Sequence, residues 1–132
     1  MKLDFEKLKN VVGCGESVIP VVVQHADTKA VLILAYSNQV ALEESLRTGY
    51  AVFWSTSRNE LWEKGKTSGN RLALVSVRVN CEDNSLLYLV KPLGEGVCHT
   101  KDTLGKYRDT CYYREYVDFK FREISVSDAE IS

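Results

Sequence analysis

Two apolar, β-branched runs stand close together in the first third of the chain. They cover residues 19–25 and 30–36, and only the polar segment 26–29 separates them. Short apolar runs bounded by polar turn residues are typical of buried strands, and a short connection joins strands that pair with each other. The pattern therefore predicts a β-hairpin.

A helix is predicted directly after this hairpin. Asn38 is a suitable N-cap, the helical pattern continues to about Thr48, and Gly49 supplies a C-terminal stop. The side chains expected to point inward are Val40, Leu42 and Leu46.

Three more strands are predicted in the middle of the chain. They cover residues 50–54, residues 72 to about 81, and residues 86–90. The long polar stretch 55–70 separates the first from the second, and a polar turn at residues 82–85 joins the second to the third. The last two strands are therefore expected to pair.

The C-terminal part is less regular. Residues 93–110 have the composition of a loop, residues 112–121 alternate enough for one or two strands, and the end after Ile124 is expected to fray. Together these elements predict an α+β fold, with a mainly antiparallel sheet or roll and one or two helices. With no linker-like segment, we expect a single domain over residues 1–132.

Composition limits the classes of partner. The chain has 132 residues and a formal net charge of −1, which gives no overall attraction to nucleic acid or to an anionic membrane. Charged residues occupy the start of the chain, where a signal peptide would be apolar, and no apolar run approaches the length of a membrane span. We expect a cytoplasmic protein whose four cysteines are free thiols.

Three of those cysteines, Cys81, Cys98 and Cys111, lie in the second half of the chain. Thiolates are zinc ligands, and three of them leave one coordination position open for water, as in catalytic zinc sites. Zinc can lower the pKa of bound water to roughly 7 and so supply hydroxide. The separations of 16 and 12 intervening residues are unlike those of zinc fingers, so a merely buried trio is an equal alternative. Cys14 is expected to be a small buried apolar residue.

His99 follows Cys98 directly. Because the unperturbed pKa of histidine is about 6.5, this side chain is suited to moving protons beside a metal. A hydrogen-bonded loop histidine and a fourth zinc ligand are the other interpretations.

Residues 54–70, called here the ligand loop, combine hydroxyl groups, glycines and cations with two tryptophans. Hydroxyls, cations and backbone N–H groups bind phosphate, and an indole ring can stack on a planar base. The loop therefore predicts a site for an anionic, aromatic ligand, although a solvated loop with a few caps has a similar composition. The candidate binding residues are Trp54, Ser55, Ser57, Arg58, Trp62, Lys64, Gly65, Thr67, Ser68, Gly69 and Asn70.

A third candidate site interleaves oxygen donors with Cys81. In extended backbone Asn80, Glu82 and Asn84 would point to the same side and could face one cation. Magnesium prefers carboxylate oxygens, and only Glu82 of the three is charged. A polar turn is at least as good an interpretation.

The chain resembles the phosphoribosyl-AMP cyclohydrolase family of histidine biosynthesis, from about residue 19 to residue 114. The most specific part of the resemblance is Trp54-Ser55-x-Ser57-Arg58-x-x-Leu61-Trp62-x-Lys64-Gly65-x-Thr67-Ser68-Gly69. Further family-like segments are Val31-Leu32-x-Leu34-Ala35-Tyr36-x-Asn38, Cys98-His99-Thr100 and Cys111-Tyr112-Tyr113-Arg114.

This resemblance implies a homodimer with zinc at its interface, where Cys81 comes from one chain and Cys98 with Cys111 from the other. It also implies a magnesium site whose aspartates are replaced here at Asn80, Glu82 and Asn84. Two further departures are Asn70, where the family usually has histidine, and residues 101–110, which make a longer loop than the family has.

The implied function is zinc-dependent hydrolysis that opens the adenine ring of phosphoribosyl-AMP at the N1–C6 bond. His99 would move protons, and the ligand loop would hold the phosphates and ribose. The alternatives are a cyclohydrolase for a related purine ribotide and a non-catalytic, zinc-stabilised dimer that binds a nucleotide. A thiol redox protein fits poorly, because the chain has no Cys-x-x-Cys pair.

Overall fold

A computed structural model describes residues 3–124 of the chain. Within that range the chain forms two helices and eight strands. In chain order they are α1 (Lys7–Val12), β1 (Ile19–His25), β2 (Val31–Ser37), α2 (Gln39–Thr48), β3 (Val52–Ser55), β4 (Glu60–Glu63), β5 (Leu72–Val79), β6 (Leu86–Pro92), β7 (Arg114–Val117) and β8 (Lys120–Glu123). No helix within residues 3–124 is long and apolar enough to cross a membrane.

Four strands form the main sheet, in the order β2-β1-β6-β5. The β1–β2 and β5–β6 pairs are antiparallel, and β1 and β6 are parallel neighbours. Two antiparallel hairpins, β3–β4 and β7–β8, complete the strands of the described range. The predicted α+β class with mainly antiparallel pairing is confirmed.

The predicted hairpin and helix are also confirmed, since both depend on local signals. Strand β1 has the predicted bounds, and β2 lies one residue later than expected. At the start of α2, Asn38 Oδ1 accepts a hydrogen bond of 2.9 Å from the Ala41 N–H. At its end, Gly49 has φ 79°, a left-handed conformation that glycine adopts without strain.

The predicted inward face of α2 is wrong at two positions. Val40 and Leu46 are 49% and 61% exposed, whereas Ala41 and Ser45 are buried. Ser45 Oγ donates to the Val52 carbonyl and accepts from the Val52 N–H, both at 2.9 Å. The helix therefore approaches the start of β3 through a small hydroxyl residue that satisfies both backbone groups.

The core lies between one face of the main sheet and the α2–β3 segment. Its largest fully buried side chains are Tyr88 and Phe53, whose rings stack with centroids 5.9 Å apart. Leu72, Val21 and Val23 complete the centre of this cluster without any exposed surface.

Several elements differ from the sequence prediction. Helix α1 and strand β4 were not expected, and β5 ends at Val79, two residues before Cys81. The segment 93–110 is a loop with one isolated bridge, and the predicted last strands form the β7–β8 hairpin. The fraying expected after Ile124 lies outside the described residues.

Candidate active site

One cleft of about 790 Å³ brings together two groups of predicted site residues that lie far apart in the chain. The first group belongs to the ligand loop. The second group, His99 and Cys111, lies at the two ends of the 101–110 loop that precedes β7. The predicted site residues that line the cleft are Ser55, Ser57, Arg58, Trp62, His99 and Cys111.

The β3–β4 hairpin presents the ligand loop to this cleft. The turn between the strands is closed by a bond of 3.3 Å from the Arg58 N–H to Ser55 Oγ, and Asn59 adopts φ 55°. Trp54 Nε1 donates to Asn59 Oδ1 at 3.1 Å. Trp54 therefore supports the turn, whereas Trp62, 42% exposed, is the tryptophan in the cleft wall.

Cys98 and Cys111 lie side by side at the edge of β2. The Cys111 N–H donates to the Leu32 carbonyl at 2.8 Å, and the Cys98 N–H donates to the Arg108 carbonyl at 2.9 Å. The two thiols are close enough for each to shift the pKa of the other. Two of the three predicted zinc ligands are therefore brought together within one chain.

The environment makes these two thiols unequal. Burial, together with the charge of Cys98, raises the pKa of the Cys111 thiol to about 12. Burial also acts to raise the pKa of Cys98, but hydrogen bonds from the Thr100 hydroxyl and backbone N–H, with the contributions of Cys111 and Lys64, bring that pKa below its usual value. Cys98 therefore ionises first, and Cys111 keeps its proton.

Lys64 lies beneath the loop rather than on its solvent side. It is only 5% exposed, and its ammonium group is 5.7 Å from the centre of the Trp62 ring. Burial lowers the pKa of this ammonium, and Cys111 and Cys98 act in the opposite direction when they are ionised. Lys64 is therefore a buried cation beside the two thiols.

The end of the ligand loop forms a closed turn. The Gly69 N–H donates to the Gly65 carbonyl at 2.8 Å, and the Asn70 N–H donates to Ser68 Oγ at 3.2 Å. Asn70 is 4% exposed, and its Oδ1 accepts from the Glu95 N–H at 3.1 Å. The candidate residues of this turn, which lie outside the lining of the cleft, are Gly65, Thr67, Ser68, Gly69 and Asn70.

Cys81 lies apart from the other two cysteines. It is exposed in the turn after β5, whereas Cys111 is bonded to β2, and β5 and β2 are the two outer strands of the sheet. Three strand spacings of about 4.8 Å each separate those strands, while a zinc–sulfur bond is about 2.3 Å long. Within residues 3–124 of one chain, no three His, Cys, Asp or Glu side chains form a group that could hold a metal ion.

Asn80, Glu82 and Asn84 meet in a turn instead of lying along one face of a strand. Asn80 Oδ1 accepts from the Asn84 and Ser85 N–H groups, both at 2.9 Å, and Asn80 Nδ2 donates to Asn84 Oδ1 at 2.6 Å. Asn84 Nδ2 in turn donates to Glu82 Oε2 at 3.3 Å. Three of the four side-chain oxygen atoms of this set, those of Asn80 and Asn84 and Oε2 of Glu82, therefore accept hydrogen bonds within the turn.

Two residues near the thiols were not singled out from the sequence. Thr100 Oγ1 lies 3.0 Å from Cys98 Sγ, and Arg108 Nη1 donates to the same hydroxyl at 3.1 Å. Thr100 belongs to the Cys98-His99-Thr100 segment, so its position two residues after a candidate zinc ligand could have drawn attention to it. Arg108 gave no signal, because its contacts depend on how the long loop folds.

Comparison with known proteins identifies the family. The family model for phosphoribosyl-AMP cyclohydrolase matches residues 33–113, which include the whole ligand loop and all three cysteines of the second half. The phosphoribosyl-AMP cyclohydrolase of Archaeoglobus fulgidus is 46% identical over 99 residues, covering 75% of this chain and 85% of that protein. The enzyme of the same name from Sphingopyxis alaskensis is 47% identical over 96 residues, covering 73% of this chain and 71% of that protein.

A third relative is longer. The histidine biosynthesis bifunctional protein of Lactococcus lactis is 40% identical over 124 residues, which cover 94% of this chain and 51% of that protein. The match to the family model and the identities to these relatives agree, and the chain belongs to the phosphoribosyl-AMP cyclohydrolase family.

Proposed function

We propose that this protein is a phosphoribosyl-AMP cyclohydrolase that uses zinc to open the adenine ring at the N1–C6 bond, in histidine biosynthesis. The observation that carries the proposal is the single cleft in which Arg58 and Trp62 of the ligand loop meet His99 and Cys111. Membership of the family indicates the substrate, and the cleft brings together side chains of the kinds that this reaction would use.

The donor set fits zinc. Cys98 and Cys111 are adjacent thiols, and the buried cation of Lys64 beside them offsets part of the negative charge that thiolate ligands bring. We propose that Cys81 of a second copy provides the third ligand, so that the protein acts as a homodimer. The exposure of Cys81 and its position at the opposite edge of the sheet support this arrangement.

The substrate lies, in this proposal, with its phosphates at the β3–β4 turn. Arg58 offers a guanidinium group, and Ser55 and Ser57 offer hydroxyl groups in the same wall. The exposed face of Trp62 is available to stack on the adenine ring. Lys64 was expected to bind phosphate, but its burial beside the thiols gives it a role in balancing their charge instead.

Bound zinc would make hydroxide available at neutral pH. The adenine carbon C6 is already electrophilic, because the ribosyl group on N1 makes the ring cationic. His99 is exposed and lines the cleft, and in this proposal it accepts and returns the protons that move as the N1–C6 bond opens. Binding in the cleft holds C6 close to these groups, which replaces a bimolecular encounter with a fixed geometry.

Magnesium does not fit the turn at residues 80–85. Glu82 provides the only carboxylate among the three candidate ligands, and the amide groups of Asn80 and Asn84 bond to each other and to the backbone. A hard cation that prefers several carboxylate and water oxygens gains little there. We therefore assign magnesium no part in the reaction.

The direct test is to incubate the purified protein with phosphoribosyl-AMP and to follow ultraviolet absorbance, with metal analysis of the same sample. We expect turnover with zinc present and no requirement for added magnesium. Replacement Cys98→Ala should remove both zinc and turnover. Nucleotide binding without turnover by the zinc-loaded protein would contradict the proposal and would favour a non-catalytic paralogue, while turnover of a different purine ribotide would change the substrate only.

A further inference from the structure

Arg108 is held firmly within the loop that separates Cys98 from Cys111. Its side chain is only 14% exposed, and its guanidinium carbon lies 4.0 Å from the centre of the Tyr113 ring. Arg108 Nη2 donates to Glu123 Oε1 at 2.7 Å, which ties the loop to strand β8. Burial, the ion pair with Glu123 and stacking on the Tyr113 ring therefore fix the position of this guanidinium group.

The other end of the same guanidinium group faces Thr100. Arg108 Nη1 donates to Thr100 Oγ1 at 3.1 Å and to the Lys101 carbonyl at 2.6 Å. A guanidinium group has donors only, so the Thr100 oxygen is the acceptor in this contact. The hydroxyl hydrogen of Thr100 remains available for another partner.

That partner is the sulfur of Cys98, 3.0 Å from Thr100 Oγ1. A thiolate that serves as a metal ligand carries no hydrogen, so the Thr100 hydroxyl must donate to it. The Thr100 hydroxyl thus accepts a hydrogen bond from Arg108 and donates one to Cys98, so its hydrogen atom points toward the sulfur.

The backbone of Arg108 fixes the same segment from the other side. Its carbonyl accepts from the Val97 and Cys98 N–H groups, both at 2.9 Å, and its N–H donates to the Thr100 carbonyl at 3.2 Å. Both the side chain and the main chain of one residue therefore determine where Cys98 lies.

We propose that Thr100 and Arg108 are positioning residues that orient Cys98 Sγ for metal binding, through the contacts Glu123–Arg108–Thr100–Cys98. The inference rests on the proposed zinc function. It gives the long 101–110 loop a purpose, because the loop provides the arginine that directs the hydroxyl group. Hydrogen-bonding partners of metal ligands typically change metal affinity by about 10–100-fold when they are removed.

The test compares Thr100→Val with Thr100→Ser in the full-length protein. Cobalt is used as a probe, because its thiolate charge-transfer absorption reports the geometry of the sulfur ligands, and affinity is measured by competition with a chelator. Loss of the hydroxyl in Thr100→Val should weaken cobalt and zinc binding by about 10–100-fold and shift that absorption. Thr100→Ser retains the hydroxyl and should restore both to wild-type values.

Thr103→Val is a matched control in the same loop. Thr103 is exposed and its hydroxyl group makes no hydrogen bond within residues 3–124, so its loss should leave the cobalt absorption unchanged. Arg108→Lys, which keeps the charge but not the two-sided donor geometry, should shift the absorption in the same direction as Thr100→Val.

The outcomes separate the two proposals. Wild-type protein that binds neither cobalt nor zinc would overturn the zinc site itself, and the positioning role with it. Wild-type binding together with unchanged affinity and absorption in folded Thr100→Val would overturn the positioning role alone.

Discussion

Gly65 and Asn70 are packed so closely that no side chain fits between them. A Cβ atom on Gly65 would lie 2.1 Å from the carbonyl carbon of Asn70, and Gly65 also has φ 81°. Asn70 itself is pressed against Gly94, where a Cβ would lie 2.1 Å from Asn70 Oδ1. The ligand loop is thus joined to the segment that leads to Cys98 and His99.

Gly65→Ala should therefore disrupt the loop by collision as well as by backbone strain. Gly69→Ala is a matched control in the same turn, because Gly69 has φ 82° but open space around it. We expect Gly69→Ala to lower the free energy of unfolding by about 1 kcal/mol and Gly65→Ala to cost about 1–3 kcal/mol more. Chemical denaturation measures both, and equal losses in the two variants would contradict the close packing described here.

Arg58→Ala should weaken substrate binding more than it slows the chemical step. The proposed bond from the guanidinium group to a substrate phosphate is worth about 1.5–3 kcal/mol, which corresponds to a roughly 10–100-fold rise in KM. Lys66→Ala is the control, since Lys66 is an exposed cation of the same loop that does not line the cleft. Steady-state kinetics would refute the role of Arg58 if the two variants gave the same KM.

His99→Gln should slow turnover with little loss of zinc. Removing a proton-transferring group reduces kcat by about 10²–10⁴-fold and leaves the metal bound. Removing a zinc ligand would instead release the metal. His25→Asn provides a comparison, because the Nδ1 atom of His25 accepts from the N–H groups of Asp27 and Thr28 in the β1–β2 turn, and an asparagine oxygen can do the same. Metal content and kcat should be measured together. A zinc-free His99→Gln protein would make His99 a ligand.

Zinc affinity should increase with pH across the neutral range. The pKa of Cys111 is raised to about 12, so this thiol is protonated in the metal-free protein and zinc must displace its proton. Each displaced proton changes the apparent affinity by about tenfold per pH unit, and binding is therefore weaker at pH 6 than at pH 8. Chelator competition at several pH values measures the slope, and an affinity independent of pH would argue against Cys111 as a ligand.

Local signals made much of the fold predictable. Asn38 and Gly49 define the ends of α2 through contacts within a few residues, and the β1–β2 hairpin follows from two adjacent apolar runs. The buried face of α2 was not predictable in the same way. It depends on the contact of Ser45 with Val52, which forms only when the helix packs on the next strand.

The candidate site was likewise predictable only in the part that depends on local sequence. The ligand loop and the three cysteines could be identified by residue type, because their chemistry is evident in the sequence. The adjacency of Cys98 and Cys111 and the remoteness of Cys81 depend on the strand order β2-β1-β6-β5, which includes a parallel pair that no local pattern indicates. The contacts of Arg108 depend on loop folding and on β8, so no local pattern indicated its role.

In the proposed homodimer, one active site takes Cys81 from one copy and Cys98 with Cys111 from the other. Mixing Cys81→Ala with Cys98→Ala protein, allowing the subunits to exchange, and measuring turnover of phosphoribosyl-AMP tests this arrangement directly. Each variant alone should be inactive. Random exchange makes half of the dimers mixed, and each mixed dimer regains one intact site of two, so the mixture should recover about a quarter of wild-type activity. A mixture as inactive as its components, or full activity of Cys81→Ala alone, would contradict the shared site.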